Sequence, residues 1–389
     1  MNDPDRNAGQ GVNGPDFPPG EFEVRLERAQ RAMRQAGLDA LLFTTEAEVR
    51  YFTGFRTLFW QSPTRPWFLV VPARGGPVAI LPEIGAALMR GSWVAEVQTW
   101  ASPHPDDDGV SLLSRCLLGK DRVGMPMGRE SALRMPLADY NRLLARLPGT
   151  DFVDATPLVA RLRMVKSEAE IAILRQIGSI ASNAFDRAGE IFHEGQTLKQ
   201  AFRAFRIALL EEGADDVPYL VGGAGPDGYA DVISPPSGQV LRHGDVLMLD
   251  TGATLDGYYC DFDRNFAFGE ASDLLRKAYD TLWRATEAGL DAARPGATAA
   301  DLHAAMQAVT GQSTGDVGRY GHGLGMQLTE APSVIAFDRT VMEPGMVMTL
   351  EPSMVVAGDR IMVHEENIVI RDGAPELLSR RAPRELPVI

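Results

Sequence analysis

Apolar residues recur at helical spacing over residues 22–36 (FEVRLERAQRAMRQA), and Gly37 ends the run. Short strand-like runs follow: DALLFTT (39–45), WFLVV (67–71) and PVAILP (77–82). Helical stretches near 83–90, 108–117 and 136–146 alternate with them. Such alternation predicts an α/β domain closing near residue 155.

The pattern changes in the second half. Residues 167–190 (SEAEIAILRQIGSIASNAFDRAGE) read as a long helix, with Ser167 as N-cap and Glu170 completing a capping box. A second helix, about 197–213, leads into a strand-rich section, 217–268, containing VLMLDTG (246–252) and YYCDFDRNFAFG (258–269). Two more helices, about 271–293 and 298–310, precede another strand-rich section, 317–370. The order helix, helix, strands therefore occurs twice without a residue-level repeat. That implies two similar halves clasping a site between their sheets. The expected division is a disordered tail over 1–20, an α/β domain over 21–155 and a second domain over 156–389, with a linker near 155–166.

Composition narrows the function. At 389 residues two domains are expected, and 45% apolar with 23% charged residues is ordinary for a globular protein. No apolar run is long enough to span a bilayer, and the polar start has no signal-peptide pattern, so a cytoplasmic protein is expected. Cys116 and Cys260 are far apart in sequence and read as two buried thiols, as suits a reducing compartment. The net charge of −14 argues against nucleic acid or anionic membranes as partners.

Five potential metal ligands lie in the second half. Asp250 closes an apolar strand, and Asp261 follows eleven residues later. His322 sits in GHGLG, Glu351 ends the apolar run GMVMTLEP, and Glu365 begins EENIVI. Taken singly, such residues are usually solvated acids or an ordinary histidine. Asp250 and Glu351, however, each follow unbroken apolar strand, where an unpartnered carboxylate is expensive. Carboxylates with one imidazole suit Mn, Co, Zn or Fe in hydrolytic two-metal sites, and four acids need two dications for balance. Gly321, Gly323 and Gly325 let the backbone around His322 approach something closely.

The order and spacing of these motifs resemble the pita-bread metallopeptidases: aminopeptidase P, prolidase and methionine aminopeptidase. The family's Asp-x-Gly is matched by Asp250-Thr251-Gly252, its second Asp by Asp261, with Arg264 three further on. Gly-His-Gly-x-Gly and Glu-x-Pro are matched by His322 and by Glu330-Ala331-Pro332. Thr349-Leu350-Glu351-Pro352 and Glu365-Glu366-Asn367-Ile368 complete the series, which covers about residues 155–375. The resemblance implies an α+β pita-bread catalytic domain with pseudo-two-fold halves, preceded by a creatinase-type N-terminal domain. It further implies a homodimer and two divalent metal ions on Asp250, Asp261, His322, Glu351 and Glu365, with Glu351 also handling the proton of the attacking water.

Two positions depart from the family. Its histidine before Glu-x-Pro is Thr329 here, which makes Thr329 a candidate substrate contact. A second histidine, about eighteen residues before the first Asp, is replaced at Val232–Ile233, with Asp231 adjacent as the candidate proton donor. Asp263 stands where Thr is usual and reads as an acceptor behind the ligands, as a supplementary ligand, or as an ion pair to Arg264. In the aromatic, Pro-rich segment 55–68, Trp60 is the candidate for a rim over the substrate, while Trp67 reads as packing. Three functions stay open: a dinuclear hydrolase of short Xaa-Pro peptides; the same scaffold on a small metabolite by amide or ureido hydrolysis or sulfonium elimination; and a non-catalytic binding protein.

Overall fold

The computed structural model describes residues 17–62, 65–311 and 318–389. Most of the expected tail, residues 1–16, lies outside the described residues. The chain divides into two compact units, Met1–Leu162 and Arg163–Ile389.

In the first unit, α1 (Pro19–Ala36) ends at Gly37, whose left-handed φ of 64° lets its N–H reach back to the last turn. Phe17, inside the expected tail, is buried against Phe22 and Arg25. The chain continues through β1 (Ala40–Phe43), α2 (Glu46–Thr53), β2 (Phe68–Pro72), β3 (Val78–Pro82), α3 (Ala86–Arg90) and β4 (Glu96–Trp100). It closes with α4 (Val110–Leu117), β5 (Arg122–Met125), α5 (Leu137–Arg146), β6 (Asp151–Asp154) and α6 (Thr156–Met164). The six strands form one mixed sheet in the order β4-β3-β2-β1-β5-β6. Leu42, Val70, Ile80 and Val123 pack with Leu113, Leu117 and Leu143 of the helices to make its core. Residues 155–166, expected as a linker, are mostly the helix α6.

Trp60 needs correcting as a rim residue. It is only 8% exposed, 5.8 Å from the Trp67 ring and 6.5 Å from Phe55, with the Arg134 guanidinium 4.9 Å above its face. Aromatic and cation–π contacts hold the indole inside its own unit. Leu58 and Gln61 are the exposed residues of that turn.

The second unit opens with α7 (Glu168–Asp186), whose Ser167–Glu170 capping box forms as expected. The short α8 (Ala188–Ile191) and α9 (Leu198–Glu211) follow, α9 beginning with a Thr197–Gln200 box. Next come β7 (Asp216–Gly225), β8 (Val246–Leu255), β9 (Tyr258–Tyr259) and β10 (Phe262–Ala267), an antiparallel sheet ordered β10-β8-β7 with β9 on β8. The second half repeats the order: α10 (Asp273–Ala292), α11 (Ala299–Thr310), then β11 (His322–Gly323), β12 (Glu330–Ser333) and β13 (Val347–Leu350). A hairpin, β14 (Ser353–Ala357) and β15 (Arg360–Val363), precedes β16 (Glu366–Val369) and β17 (Glu376–Leu377). The second sheet is ordered β12-β11-β13-β16-β17. Ala285 of α10 and Leu302 and Met306 of α11 cover it against Met348, Leu350 and Ile368. The expected pita-bread architecture, two helix-then-sheet halves following a creatinase-like domain in the chain, is the fold observed. Among the described residues, no helix is long and apolar enough to cross a membrane.

Glu330 of the Glu-x-Pro motif is structural. It is buried between Lys166 at 3.1 Å and Arg163, and their charges hold its carboxyl down at about 2. A carboxylate with a depressed folded pKa stabilises above its unfolded value and loses that contribution as pH falls towards the folded one. Glu330→Gln should therefore cost about 3–5 kcal/mol at neutral pH, because two buried cations lose their partner. In denaturant melts, the gap from wild type should shrink as pH falls from about 4.5 towards about 2. A gap that does not change with pH would contradict this assignment.

Candidate metal centre

The central strand of each sheet carries an acid to the same place. Asp250 lies in the middle of β8, opposite Val221 of β7 and Asp263 of β10. The residues before it, Val246 to Leu249, are fully buried, so the strand cannot slip without exposing them. Asp261 stands just before β10. Its N–H donates to Asn367 Oδ1 at 2.9 Å, and the Asn367 amide donates back to the Asp261 carbonyl. This reciprocal pair ties the first sheet to β16 of the second. His322 opens β11, its N–H donating to Thr349 Oγ1 at 3.1 Å. Glu351 follows β13, and Glu365 precedes β16.

The side chains converge. Asp261 Oδ2 is 3.3 Å from His322 Nε2, which is 3.9 Å from Glu351 Oε1. One ligand atom each from Asp261, His322 and Glu365 lies within 4.8 Å of the others. Asp250 adjoins Asp261, and Glu351 adjoins Glu365. His322 Nδ1–H donates to the Gly323 carbonyl at 2.9 Å, which leaves the Nε2 lone pair facing the carboxylates. Burial, reinforced by neighbouring carboxylates, pushes Asp250 and Glu365 well above the usual carboxylate range. Burial raises Asp261 as well, against the pull of Arg319. Glu351 is raised less, because His322 and Arg319 oppose its burial.

These residues fit a divalent cation. Asp250 Oδ1 and Glu365 Oε1 are shut off from solvent with no hydrogen-bond donor. Such orphaned acceptors are costly, and oxygen ligands with one imidazole are a set that transition-metal dications accept. The glycines around His322 serve the strands rather than a ligand. A Cβ on Gly321, at φ 144°, would lie 2.3 Å from the Thr349 carbonyl oxygen, and one on Gly323 2.2 Å from that of Ala331.

Arg264 supports the centre from behind. Nη1 donates to the Glu365 carbonyl at 2.9 Å and Nη2 to Glu366 at 2.9 Å. It reaches Asp263 only at the backbone carbonyl, while the buried Asp263 carboxyl accepts from Asn265 at 3.0 Å. The Asp263 carboxyl pairs with Asn265, and Arg264 makes no ion pair with it.

The other expected site residues fare differently. Asp231 is exposed and accepts from the N–H groups of Ile233 (2.9 Å) and Ser234 (3.0 Å) and from the Ser234 hydroxyl. Those bonds hold its carboxyl below the ordinary range, the wrong direction for a proton donor at neutral pH. Asp231 is therefore corrected to a turn residue. Thr329 does face a charged group: its Oγ1 accepts from Arg319 Nη2 at 3.3 Å. Two residues escaped the sequence reading. Tyr219 is held beside the acids, and burial together with the charges of Asp250, Asp261 and Glu365 pushes its phenol up, so that it stays protonated. Arg319 Nε lies 3.8 Å from Glu351 Oε1. Arg319, three positions before His322, carried a weak signal; for Tyr219 only the β7–β8 register could have supplied one.

Residues 172–372 match the metallopeptidase family M24, and residues 25–165 match the creatinase/prolidase N-terminal domain. The chain is 34% identical to the probable dipeptidase PepE of Mycobacterium tuberculosis, over 95% of this chain and 96% of that one. It is 26% identical to the Xaa-Pro dipeptidase of Lactobacillus delbrueckii subsp. lactis, over 90% and 95%. The crystal structure of dipeptidase PepE from Mycobacterium ulcerans superposes with a TM-score of 0.83 at 30% identity, covering 96% of this chain and 99% of that one. Prolidase from Thermococcus sibiricus shares the fold, with a TM-score of 0.84 at 24% identity over 95% and 99%. With both of its domains matched and a donor set fit for divalent metal, the chain belongs to metallopeptidase family M24, as a metal-dependent hydrolase of the dipeptidase and prolidase type.

Proposed function

We propose that this protein is a dinuclear metallodipeptidase that cleaves short peptides, with Xaa-Pro dipeptides as its default substrates. The observation that carries the reading is the convergence of four acids and one imidazole, with orphaned oxygens on Asp250 and Glu365. In this reading Asp250, Asp261, His322, Glu351 and Glu365 would hold two dications drawn from Mn, Co, Zn or Fe. When bound, such ions polarise a carbonyl and make water acidic enough to attack at neutral pH. Glu351, 22% exposed where Asp261 and Glu365 are sealed, takes the proton of the attacking water. The water oxygen bonds to the carbonyl carbon, the C–N bond breaks, and the same proton passes to the leaving nitrogen. His322 keeps Nε2 available as a ligand through its Gly323 bond.

The names of the relatives, dipeptidase PepE and Xaa-Pro dipeptidase, favour dipeptides over the metabolite and binding-protein readings. A homodimer belongs to the same reading, with the 81% exposed Leu58 as a candidate contact. Light scattering of the purified protein tests it, and a monomer at working concentrations would contradict it.

Metal analysis should find two ions per chain in wild type and clear loss in Asp261→Ala and Glu365→Gln. Full occupancy in both variants would remove the ligand assignment. Glu351→Gln should lower kcat on Ala-Pro by about 10²–10⁴-fold, the usual worth of a positioned acid–base group. Metal-loaded wild type should turn over Xaa-Pro dipeptides faster than tripeptides or ureido and sulfonium metabolites. Turnover confined to a metabolite would transfer the assignment to that chemistry.

A further inference from the structure

We propose that Arg319 is a catalytic residue, the fixed cation that stabilises the oxyanion formed at the scissile carbonyl, and that Thr329 is the positioning residue that aims it. This inference rests on the hydrolytic reading above and adds to it a group outside the ligand set.

The argument begins with place. Glu351 Oε1 has His322 Nε2 at 3.9 Å and Arg319 Nε at 3.8 Å. The guanidinium therefore lies beside the outermost acid of the cluster. At 28% exposed it can still meet an incoming substrate, whereas Asp261 and His322 are each sealed at 5%. Its field reaches inward as well, opposing the burial of Asp261 and Glu351.

Orientation comes from the strand that follows. Arg319 Nη2 donates to Thr329 Oγ1 at 3.3 Å and Nη1 to Ser333 Oγ at 3.4 Å. Thr329 immediately precedes β12 and Ser333 ends it, so two hydroxyls on one rigid element hold the two arms of the fork. A planar guanidinium held at both arms is set before substrate arrives, so it need not reorganise as charge develops.

Chemistry supplies the role. Attack by water puts a full negative charge on what was the carbonyl oxygen, next to four acids that disfavour it. A cation at this position offsets that charge most strongly where it is largest, in the tetrahedral intermediate rather than in bound substrate. Arginine does not give up its proton at working pH, so Arg319 contributes charge and donors but no acid–base step. The resemblance places a proton-handling histidine at position 329. Here that position holds a threonine that orients a permanent cation instead. The leaving nitrogen still receives the water proton through Glu351, so the reaction balances without a donor at 329.

The test uses metal-loaded full-length protein with Ala-Pro and a phosphinic analogue of Ala-Pro, a mimic of the tetrahedral state. Arg319→Gln should lower kcat by about 10²–10³-fold with KM changed only a few-fold, the scale of removing one oxyanion donor. Calorimetry should show its phosphinate affinity falling by a similar factor while its metal content stays at the wild-type level. Arg319→Lys should recover part of both, and Thr329→Val should lose about tenfold in kcat with Arg319 intact. A rise in KM alone would make Arg319 a ground-state anchor and overturn the proposal, as would loss of metal from Arg319→Gln. Phosphinate affinity unchanged in Arg319→Gln would overturn it while sparing the dipeptidase reading. A wild type that neither cleaves Ala-Pro nor binds the phosphinate would overturn both.

Discussion

Asp250, Asp261, Glu351 and Glu365 share a space from which water is largely excluded, and at close range four negative charges cannot coexist there unaided. The chain brings them together regardless, because each is fixed by a strand whose apolar residues are fully buried. β8 is locked by Val246 to Leu249 and β13 by Val347 to Leu350. The register that buries those residues also fixes where the acids point. Folding energy from two hydrophobic sheets is thus set against electrostatic repulsion at their meeting place. A divalent cation resolves the conflict better than protonation does, since it also satisfies the orphaned oxygens of Asp250 and Glu365.

The contrast with other buried acids in the same unit sharpens this point. Glu330 is matched by Arg163 and Lys166, and Glu366 by Arg264 and Arg381, and both carboxyls lie below their ordinary values. Asp250, Asp261 and Glu365 are pushed the other way. A fold that can supply two cations to a structural acid leaves the central group with a shortage of positive charge. Arg264 illustrates the division: it neutralises Glu366 while touching the neighbouring Glu365 only at its carbonyl. Arg319 stands at the edge of the group, where it offsets charge without entering it.

The five candidate ligands could be picked out of the sequence because each lies in a short linear motif whose spacing survives without knowledge of the fold. The long helices were legible too, through apolar periodicity and capping boxes such as Ser167–Glu170. Strands β4, β5 and β6 (EVQTW, RVGM and DFVD) were not, being short and weakly apolar, with β4 and β6 at the sheet's edges. The expected linker proved helical because Thr156 to Met164 contains no breaker beyond Pro157, which is tolerated in a first turn. Asp231 misled because adjacency in sequence to a family position does not give adjacency in space, and its carboxylate closes its own turn. Trp60 misled because an aromatic, Pro-rich segment resembles a rim, whereas Trp67, Phe55 and Arg134 draw its indole inward. Tyr219 joins the site through the β7–β8 pairing, which no local pattern encodes, whereas Arg319 comes three positions before His322.

The central claim is that buried carboxylates in this unit are arranged for two shared cations. Anomalous diffraction from crystals of the metal-loaded protein, recorded at the absorption edge of the bound metal, tests it most directly. The account predicts two peaks about 3.5–4 Å apart, the spacing of two-metal sites, with Asp261 and Glu365 between them. No peak, or peaks away from Asp250, Asp261, His322, Glu351 and Glu365, would contradict it.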